Sequence, residues 1–385
     1  MKVMTILGTR PEIIRLSGVI ALLDRHAEHT LVHTGQNFED RLSRIFFEEL
    51  HVRTPDIDMG VRASTFSGQI GQILEKSERL FDEIRPDRLL ILGDTNSGLS
   101  AIVARRMGIP VYHMEAGNRC FDDRVPEEVN RRVIDQCSSV LMPYTGRSGD
   151  NLLAEGFAAN RIFVTGNPIR EVMDCRSGAI AASAILNDLH LEERRFFLAT
   201  VHRAENVDRE DRLRGIVAGL ESLWRRYGYP VVFPVHPRTR SKFEQFGILP
   251  DRARFRLIEP LGFIDFVRLE QAATCVLSDS GTVQEEACIL GIPNVTLRDV
   301  TERPETLECG SNILAGADPD AIERSVAFVM NRSTAWTPPP EYLAEGVAER
   351  ACGVILSYRA PDPAELQWQL SKNNEDTLTD AVVRS

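Results

Sequence analysis

Three groups of side chains in this sequence have types and spacings that can do chemistry. The acids come first. Asp94 lies in Gly93-Asp94-Thr95-Asn96, Glu115 opens Glu115-Ala116-Gly117, and Glu127 and Glu128 follow Pro126 in Val125-Pro126-Glu127-Glu128-Val129-Asn130-Arg131. Carboxylates gathered in one place raise one another's pKa and suit acid/base work. The second group suits phosphate. Ser280-Gly281-Thr282 stands where a strand-like run passes into a helical one, with free backbone N–H groups and a positive helix end. Arg10 follows the glycine of Gly8-Thr9-Arg10-Pro11-Glu12. The third group is His202-Arg203-Ala204-Glu205-Asn206 with His236-Pro237.

Each feature also has a plain structural reading. Asp94, Thr95, Asp279 or Ser280 would serve as helix caps. Glu127 and Glu128 would complement a helix dipole in its first turn. Glu115 would be a solvated loop acid and His236 a satisfied structural histidine. One by one these readings win in most proteins. Together they lose ground, because successive strand ends all carry such groups. In open parallel sheets ligands bind outside those carboxyl ends.

The phosphate features are not those of a dinucleotide or ATP site. No Gly-x-Gly-x-x-Gly follows a strand, and no Gly-x-x-x-x-Gly-Lys-Ser/Thr occurs. These absences favour a phosphate ester held between two lobes. No His-x-x-x-His spacing supports a metal site.

The elements that must position these groups alternate. Strand-like runs at 2–7, 30–34, 88–92, 111–114, 140–142 and 162–164 are interleaved with helical patterns at 11–25, 40–50 and 67–84. Pro11 stands at a favoured first-turn position. The second half repeats the scheme with strands at 196–201, 231–235, 256–258, 275–278 and 294–297 and helices at 263–273 and 283–290. The halves share architecture without an evident sequence repeat. Such alternation implies right-handed crossovers and parallel, doubly wound sheets. The expected fold class is therefore α/β with two Rossmann-like lobes. A Gly/Ala/Ser-rich boundary falls in 166–191, and a last helix spans 341–358. The expected division is 1–168 and 169–354, with a C-terminal helix at about 355–372 rejoining the first lobe and a frayed tail at 373–385.

Composition bounds the function classes. The chain has 385 residues and a formal net charge of −11. At roughly 100–200 residues per domain, two domains are expected. Hydrophobic residues make up 43% and charged residues 26%, which places the chain among folded globular proteins. The acidic balance argues against nucleic acid and anionic membranes as partners. The seven cysteines are scattered with no Cys-x-x-Cys pair, as expected of reduced cytoplasmic thiols. No apolar run approaches the ~18 residues of a membrane span. The short run before Arg10 reads as a first strand and not as a signal peptide.

Along nearly its whole length the chain resembles the non-hydrolysing UDP-N-acetylglucosamine 2-epimerases. The resemblance rests on the strings quoted above together with Met114-Glu115-Ala116-Gly117, Val164-Thr165-Gly166-Asn167-Pro168, Pro234-Val235-His236-Pro237, Asp279-Ser280-Gly281, Gln284-Glu285-Glu286 and Thr301-Glu302-Arg303-Pro304-Glu305. Asn118-Arg119-Cys120-Phe121-Asp122 resembles the branch that forms UDP-N-acetyl-L-fucosamine from a 6-deoxy-talose precursor.

The resemblance implies a glycosyltransferase-B type fold with UDP between the lobes, a homodimer, and no redox cofactor or metal. The implied reaction inverts C2 by eliminating UDP to a 2-acetamidoglycal and adding it back, as in the biosynthesis of polysaccharide precursors. It implies Asp94, Glu115 and Glu127 as the acid/base set, with the face of C2 served by each left open. His202 and Arg10 would hold the diphosphate, with Arg203 and His236 beside it and Ser280 and Gly281 donating N–H groups. Glu286 would bind ribose hydroxyls and Phe266 would lie near uracil. Arg131 and Arg303 would order the acids and the sugar, or serve as salt-bridge partners. Arg15 replaces a lysine common in the family, keeping charge but not shape. Members activated by their own substrate carry a Gln-His-Arg-Glu/Gln loop where this chain has Gln36-Asn37-Phe38-Glu39-Asp40, so the resemblance does not extend to that activation. The alternatives are a hydrolysing epimerase that releases UDP, a glycosyltransferase of the same fold, and a nucleotide-sugar sensor.

Overall fold

The computed structural model describes residues 1–35, 40–331 and 335–359, with no side-chain description for 40–43. Residues 36–39 of the Gln36-Asn37-Phe38-Glu39-Asp40 string, and the expected helix and tail beyond 359, lie outside the described residues.

Two parallel sheets carry the chain. The first contains β1 (Lys2–Leu7), β2 (Glu28–His33), β3 (Ile57–Asp58), β4 (Arg88–Leu92), β5 (Val111–Met114) and β6 (Val140–Met142), in the order β3-β2-β1-β4-β5-β6. The second contains β7 (Phe197–Thr200), β8 (Val231–Pro234), β9 (Phe255–Ile258), β10 (Cys275–Ser278), β11 (Asn294–Thr296) and β12 (Asn312–Leu314), in the order β12-β11-β10-β7-β8-β9. The two orders are the same topology used twice. In each, the strand order reverses beside the first strand, between β1 and β4 and between β7 and β10. A doubly wound sheet binds its ligand at that switch point, outside the carboxyl ends of the strands. The residues placed there are Gly8-Thr9-Arg10, Gly93-Asp94, His202-Arg203 and Asp279-Ser280-Gly281.

Inner strands such as β4, β7 and β8 read as nearly continuous apolar runs because both faces are covered. Phe197, Ala199, Val231 and Phe233 pack with Leu213, Ile216, Leu220 and Ile322 on one side of the second sheet. Phe196, Leu198, Val232 and Val276 pack with Leu269, Val283 and Ala287 on the other. The alternation of 196/198 against 197/199 is the period of two that a strand imposes. In the first sheet Met4, Ile6, Leu89, Ile91 and Val111 pack against Phe81, Ala104 and Ile134.

The chain divides into two compact units. One comprises Met1–Asn118, Pro126–Pro168 and the residues from Glu345 on, and the other Arg119–Val125 and Ile169–Ala344. Helix Val347–Ser357 belongs to the first unit. There Arg88 donates to the Ile355 carbonyl and Tyr112 to the Tyr358 carbonyl.

Some expectations change. The run at 162–164 contributes a single bridge, Ile162 with Leu141, because the neighbouring β6 is itself only three residues long. The last helix starts at Val347 and not near 341, because Gly346 sits at φ 66 and breaks the turn that Pro340–Tyr342 begins. Strands β3 and β12, of two and three residues, had no apolar signature to betray them.

Candidate functional site

In the first unit the two strand-end acids stand side by side, each with its own cation. β4 ends at Gly93, whose φ of +70 turns the chain so that Asp94 follows. Arg131, on the helix Pro126–Cys137, donates to Asp94 Oδ2 from Nε at 3.1 Å and also from Nη2. The same guanidinium reaches buried Glu128 at 2.7 Å. Asn130 ties this helix to the Asp94 carbonyl at 3.1 Å. Glu115 follows β5 with φ +65, a left-handed backbone unusual for a residue with a side chain. Its carboxylate accepts from Arg15 Nη1 at 2.9 Å and from Asn118 Nδ2 at 3.1 Å. A Cβ added at Gly93 would lie 3.7 Å from Glu115 Oε2. The Glu115 carboxylate is thus held directly over the turn that presents Asp94. The acids expected to crowd one another instead each meet a fixed arginine.

Arg15 lies 5.8 Å from the Tyr144 ring and Arg10 5.9 Å from the Phe46 ring, in cation–π range. Asp94 is a quarter exposed and Glu127 half-buried in the first turn of its helix, whereas Glu115 and Arg15 are buried.

Two buried ties under these acids escaped the sequence reading. Glu12 accepts from the Gly8 N–H at 3.0 Å, the Thr9 N–H at 2.8 Å and Thr95 Oγ1 at 3.0 Å. It therefore joins the Arg10 turn to the Asp94 turn. Burial pushes its carboxyl up to about 7, against the pull of those donors. The Thr9-x-x-Glu12 spacing was its visible signal. His113 lies within 2.8 Å of both the Gly93 carbonyl and Asp135 Oδ1, and Asp135 accepts from the Gly117 N–H at 3.2 Å. A histidine within a fully buried strand was the clue there.

In the second unit Asp279, read from sequence as a cap, is the organising residue. It accepts from the N–H groups of His202 at 3.1 Å and Arg203 at 3.0 Å, and from Asn206 Nδ2 at 3.1 Å. The His202 ring lies 5.7 Å from that of His236, tilted by 36°, and His236 Nδ1 caps the helix Pro237–Phe246 by accepting from Arg238 N. Ser280 starts the helix Gly281–Leu290 without a side-chain cap bond, and its hydroxyl is 3.0 Å from Thr282 Oγ1. The backbone at Gly281 lies close to Glu302, since a Cβ there would come within 2.7 Å of Glu302 Oε1 and the carboxylate would have to shift. Glu302 pairs with Arg203 at 3.3 Å and with Arg298 at 2.7 Å. Arg303 pairs with Glu285, the neighbour of Glu286. Glu286 is 4% exposed, and Phe266 is packed against the core beneath β7 and β10.

The structure thus gathers Asp94, Glu115, Arg15 and Arg131 into one cluster, and His202, Arg203, His236, Ser280 and Gly281 into another. The first can move protons. The second offers cations and backbone donors to an anion. Among the described residues no group of three or more His, Cys, Asp or Glu side chains is placed to hold a metal ion.

Known proteins are similar to this chain in sequence and fold. The profile of a family described as UDP-N-acetylglucosamine 2-epimerase matches residues 21–356. The UDP-N-acetylglucosamine 2-epimerase of Methanocaldococcus jannaschii is 40% identical over 349 residues, covering 88% of this chain and 95% of that one. Its crystal structure, in complex with UDP-GlcNAc and UDP, superposes with a TM-score of 0.88 over 93% of this chain and 100% of that one, at 38% identity. The UDP-2,3-diacetamido-2,3-dideoxy-D-glucuronate 2-epimerase of Pseudomonas aeruginosa is 39% identical, covering 86% of this chain and 93% of that one. WaaG, a glycosyltransferase involved in lipopolysaccharide biosynthesis, shares only the two-lobed fold, at 14% identity and a TM-score of 0.53 over 96% of this chain and 99% of that one. Two doubly wound sheets of the glycosyltransferase-B type, matched over nearly the full length, place this chain in the UDP-N-acetylglucosamine 2-epimerase family.

Proposed function

We propose that this chain is a non-hydrolysing 2-epimerase of a UDP-N-acetylhexosamine. The observation that carries the reading is the pair Asp94–Arg131 and Glu115–Arg15 at adjacent strand ends. The C2 hydrogen of such a sugar is barely acidic, so a carboxylate must be held in place to take it. Inversion needs proton exchange on both faces of C2, hence more than one carboxyl group, and Glu127 completes the proposed set. The C2–H proton passes to a carboxylate as the C1–O bond breaks. UDP leaves with that electron pair, and a 2-acetamidoglycal remains. UDP then re-adds to C1 while a proton is delivered to the other face of C2. His202, Arg10, Arg203 and His236, with the Ser280 hydroxyl and the Gly281 N–H, would stabilise the charge on departing UDP, the Ser280 N–H being bonded to Ser278 Oγ. Glu286 would take ribose hydroxyls, Phe266 would lie by the base, and Arg303 would order the sugar.

The finer proposal concerns the sugar. The string from Asn118 to Asp122 supports a 6-deoxy substrate on the route to UDP-N-acetyl-L-fucosamine, and Asn118 touches the Glu115 carboxylate. Cysteine usage supports a reducing cytoplasmic setting, and the family resemblance supports a homodimer.

The test is incubation in D2O with UDP-N-acetylglucosamine, its C2 epimer and the 6-deoxy-talose analogue. Deuterium should enter C2 without net loss of UDP-sugar, fastest with the 6-deoxy compound. Absence of exchange with every substrate would sink the reading, and stoichiometric free UDP would mark a hydrolysing enzyme. Equal exchange rates would remove the 6-deoxy preference. Sedimentation at a mass of one chain would remove the homodimer.

A further inference from the structure

Cys288 and Cys309 meet sulfur to sulfur in the second unit, with 3.7 Å between the two Sγ atoms. Cys288 is fully buried on the helix Gly281–Leu290. Cys309 is half-buried at the end of the helix Pro304–Glu308. The contact is held from both sides. Three residues before Cys288, Glu285 pairs with Arg303. Gln284 Oε1 accepts from Thr301 Oγ1 at 2.7 Å and from Asn312 Nδ2 at 3.1 Å. Residues before and after Cys309 are thus tied to the helix that carries Cys288, and the sulfurs cannot drift apart without breaking buried bonds.

A thiol packed alone behaves as a small hydrophobe, but two thiols in contact can share an oxidation. An S–S bond is about 2.05 Å long, so these sulfurs need to close by only about 1.7 Å. The two are unequal. Cys309 is the one that solvent reaches, and Cys288 has no exposed surface. Hydrogen bonding from Cys288 favours the thiolate of Cys309 and holds that thiol below its usual range. Exposure and thiolate character are what make a cysteine reactive. Cys309 is therefore placed to meet an oxidant and Cys288 to follow.

We propose that Cys309 and Cys288 form a reversible oxidation site for hydrogen peroxide, Cys309 taking the oxygen and Cys288 resolving it to a disulfide. The Cys309 thiolate attacks one peroxide oxygen and the O–O bond breaks. The other oxygen leaves as hydroxide, takes up the proton that Cys309 gave up and becomes water. Cys309 is then a sulfenic acid. The Cys288 sulfur attacks the Cys309 sulfur and the S–O bond breaks. The departing oxygen takes the Cys288 proton and leaves as a second water. Two thiols lose two electrons and the peroxide gains them. Without a partner, a part-exposed thiol would go on to sulfinic acid, which thiols do not reverse. Cys288 closes that route. The site uses none of the groups assigned to UDP or to proton transfer, so it stands apart from the proposed function.

The experiment treats the full-length protein with a series of hydrogen peroxide doses, alkylates the remaining thiols in denaturant and maps tryptic peptides by mass spectrometry. In the wild type the peptides bearing Cys288 and Cys309 should be joined and lighter by two hydrogens, and dithiothreitol should separate them. Exposed Cys175 is the internal comparison, and the joined pair should form at a lower dose than oxidises it. In Cys288→Ala, Cys309 should instead gain two oxygens as sulfinic acid. In Cys309→Ala, Cys288 should stay reduced at the dose that joins the pair in the wild type. If Cys288→Ala does not fold, Cys288→Ser fills the buried position at nearly the same volume and makes the same comparison. Both thiols alkylated at doses that oxidise Cys175 would overturn the proposal. So would Cys309 oxidised in the wild type with Cys288 still free, or a link from Cys309 to any other cysteine.

Discussion

Asp94 and Glu115 show how much of this site depends on partners far away in the chain. Asp94 is oriented by an arginine 37 positions later and Glu115 by one 100 positions earlier. Strand-end placement made both acids visible in the sequence, because apolar runs stop abruptly at Leu92 and Met114. Their cations were legible only as residues with several readings, since pairing across that distance follows from the fold and not from local spacing. The same holds for Asp279, whose local context reads as a cap although it serves the backbone of His202 and Arg203. At this scale the prediction is Asp94→Asn. The amide keeps the shape but cannot accept a proton, so C2 exchange should fall by ~10²–10⁴-fold. UDP affinity measured by calorimetry should stay within about twofold, since the Asn changes no group in the proposed UDP cluster. Retained exchange would mean that Asp94 is not part of the acid/base set.

At the scale of the element, the start of helix Arg10–His26 governs more than its own stability. Glu12 fastens that turn to the turn after β4. Its carboxyl ordinarily titrates at 4.5 and is raised to about 7 in the folded protein. Between those values the folded state holds a proton that the unfolded chain has lost. The contribution of Glu12 to stability is therefore fully present below pH 4.5 and is lost as pH rises through 7. At ~1.4 kcal/mol per pKa unit the span is on the order of 3 kcal/mol. Urea denaturation of the wild type and Glu12→Gln from pH 4.5 to 8 should show the stability difference between them changing by about that amount. Parallel pH profiles would refute it. This helix was legible in the sequence, since Pro11 and apolar periodicity announced it to within a residue. Strands β3 and β12 were not, because edge strands of two or three residues bury too little to leave a pattern.

For the whole molecule, the repeated strand order puts a switch point in each unit, one lined with acid–arginine pairs and the other with imidazoles and backbone donors. The net charge of −11 conceals this division of labour. Hydrogen exchange should reveal it. UDP alone should protect amides at 202–207 and 280–288, with smaller changes at 93–96 and 115–118 outside the Arg10 turn. Protection of equal size in both units would contradict the assignment of UDP to the second cluster.

The helix Val347–Ser357 has a further consequence, for the order of events during synthesis. The unit translated first lacks this helix until the other unit has been made in full. Until then Arg88 and Tyr112 have no Ile355 and Tyr358 carbonyls to meet. At roughly 5–20 residues per second the ribosome takes on the order of 10–30 s to cover that interval. The nascent first unit spends that time with one flank of its outer layer missing. A chain released before Glu345 would keep every acid of the first cluster and still lack the helix that packs beside Arg15's own.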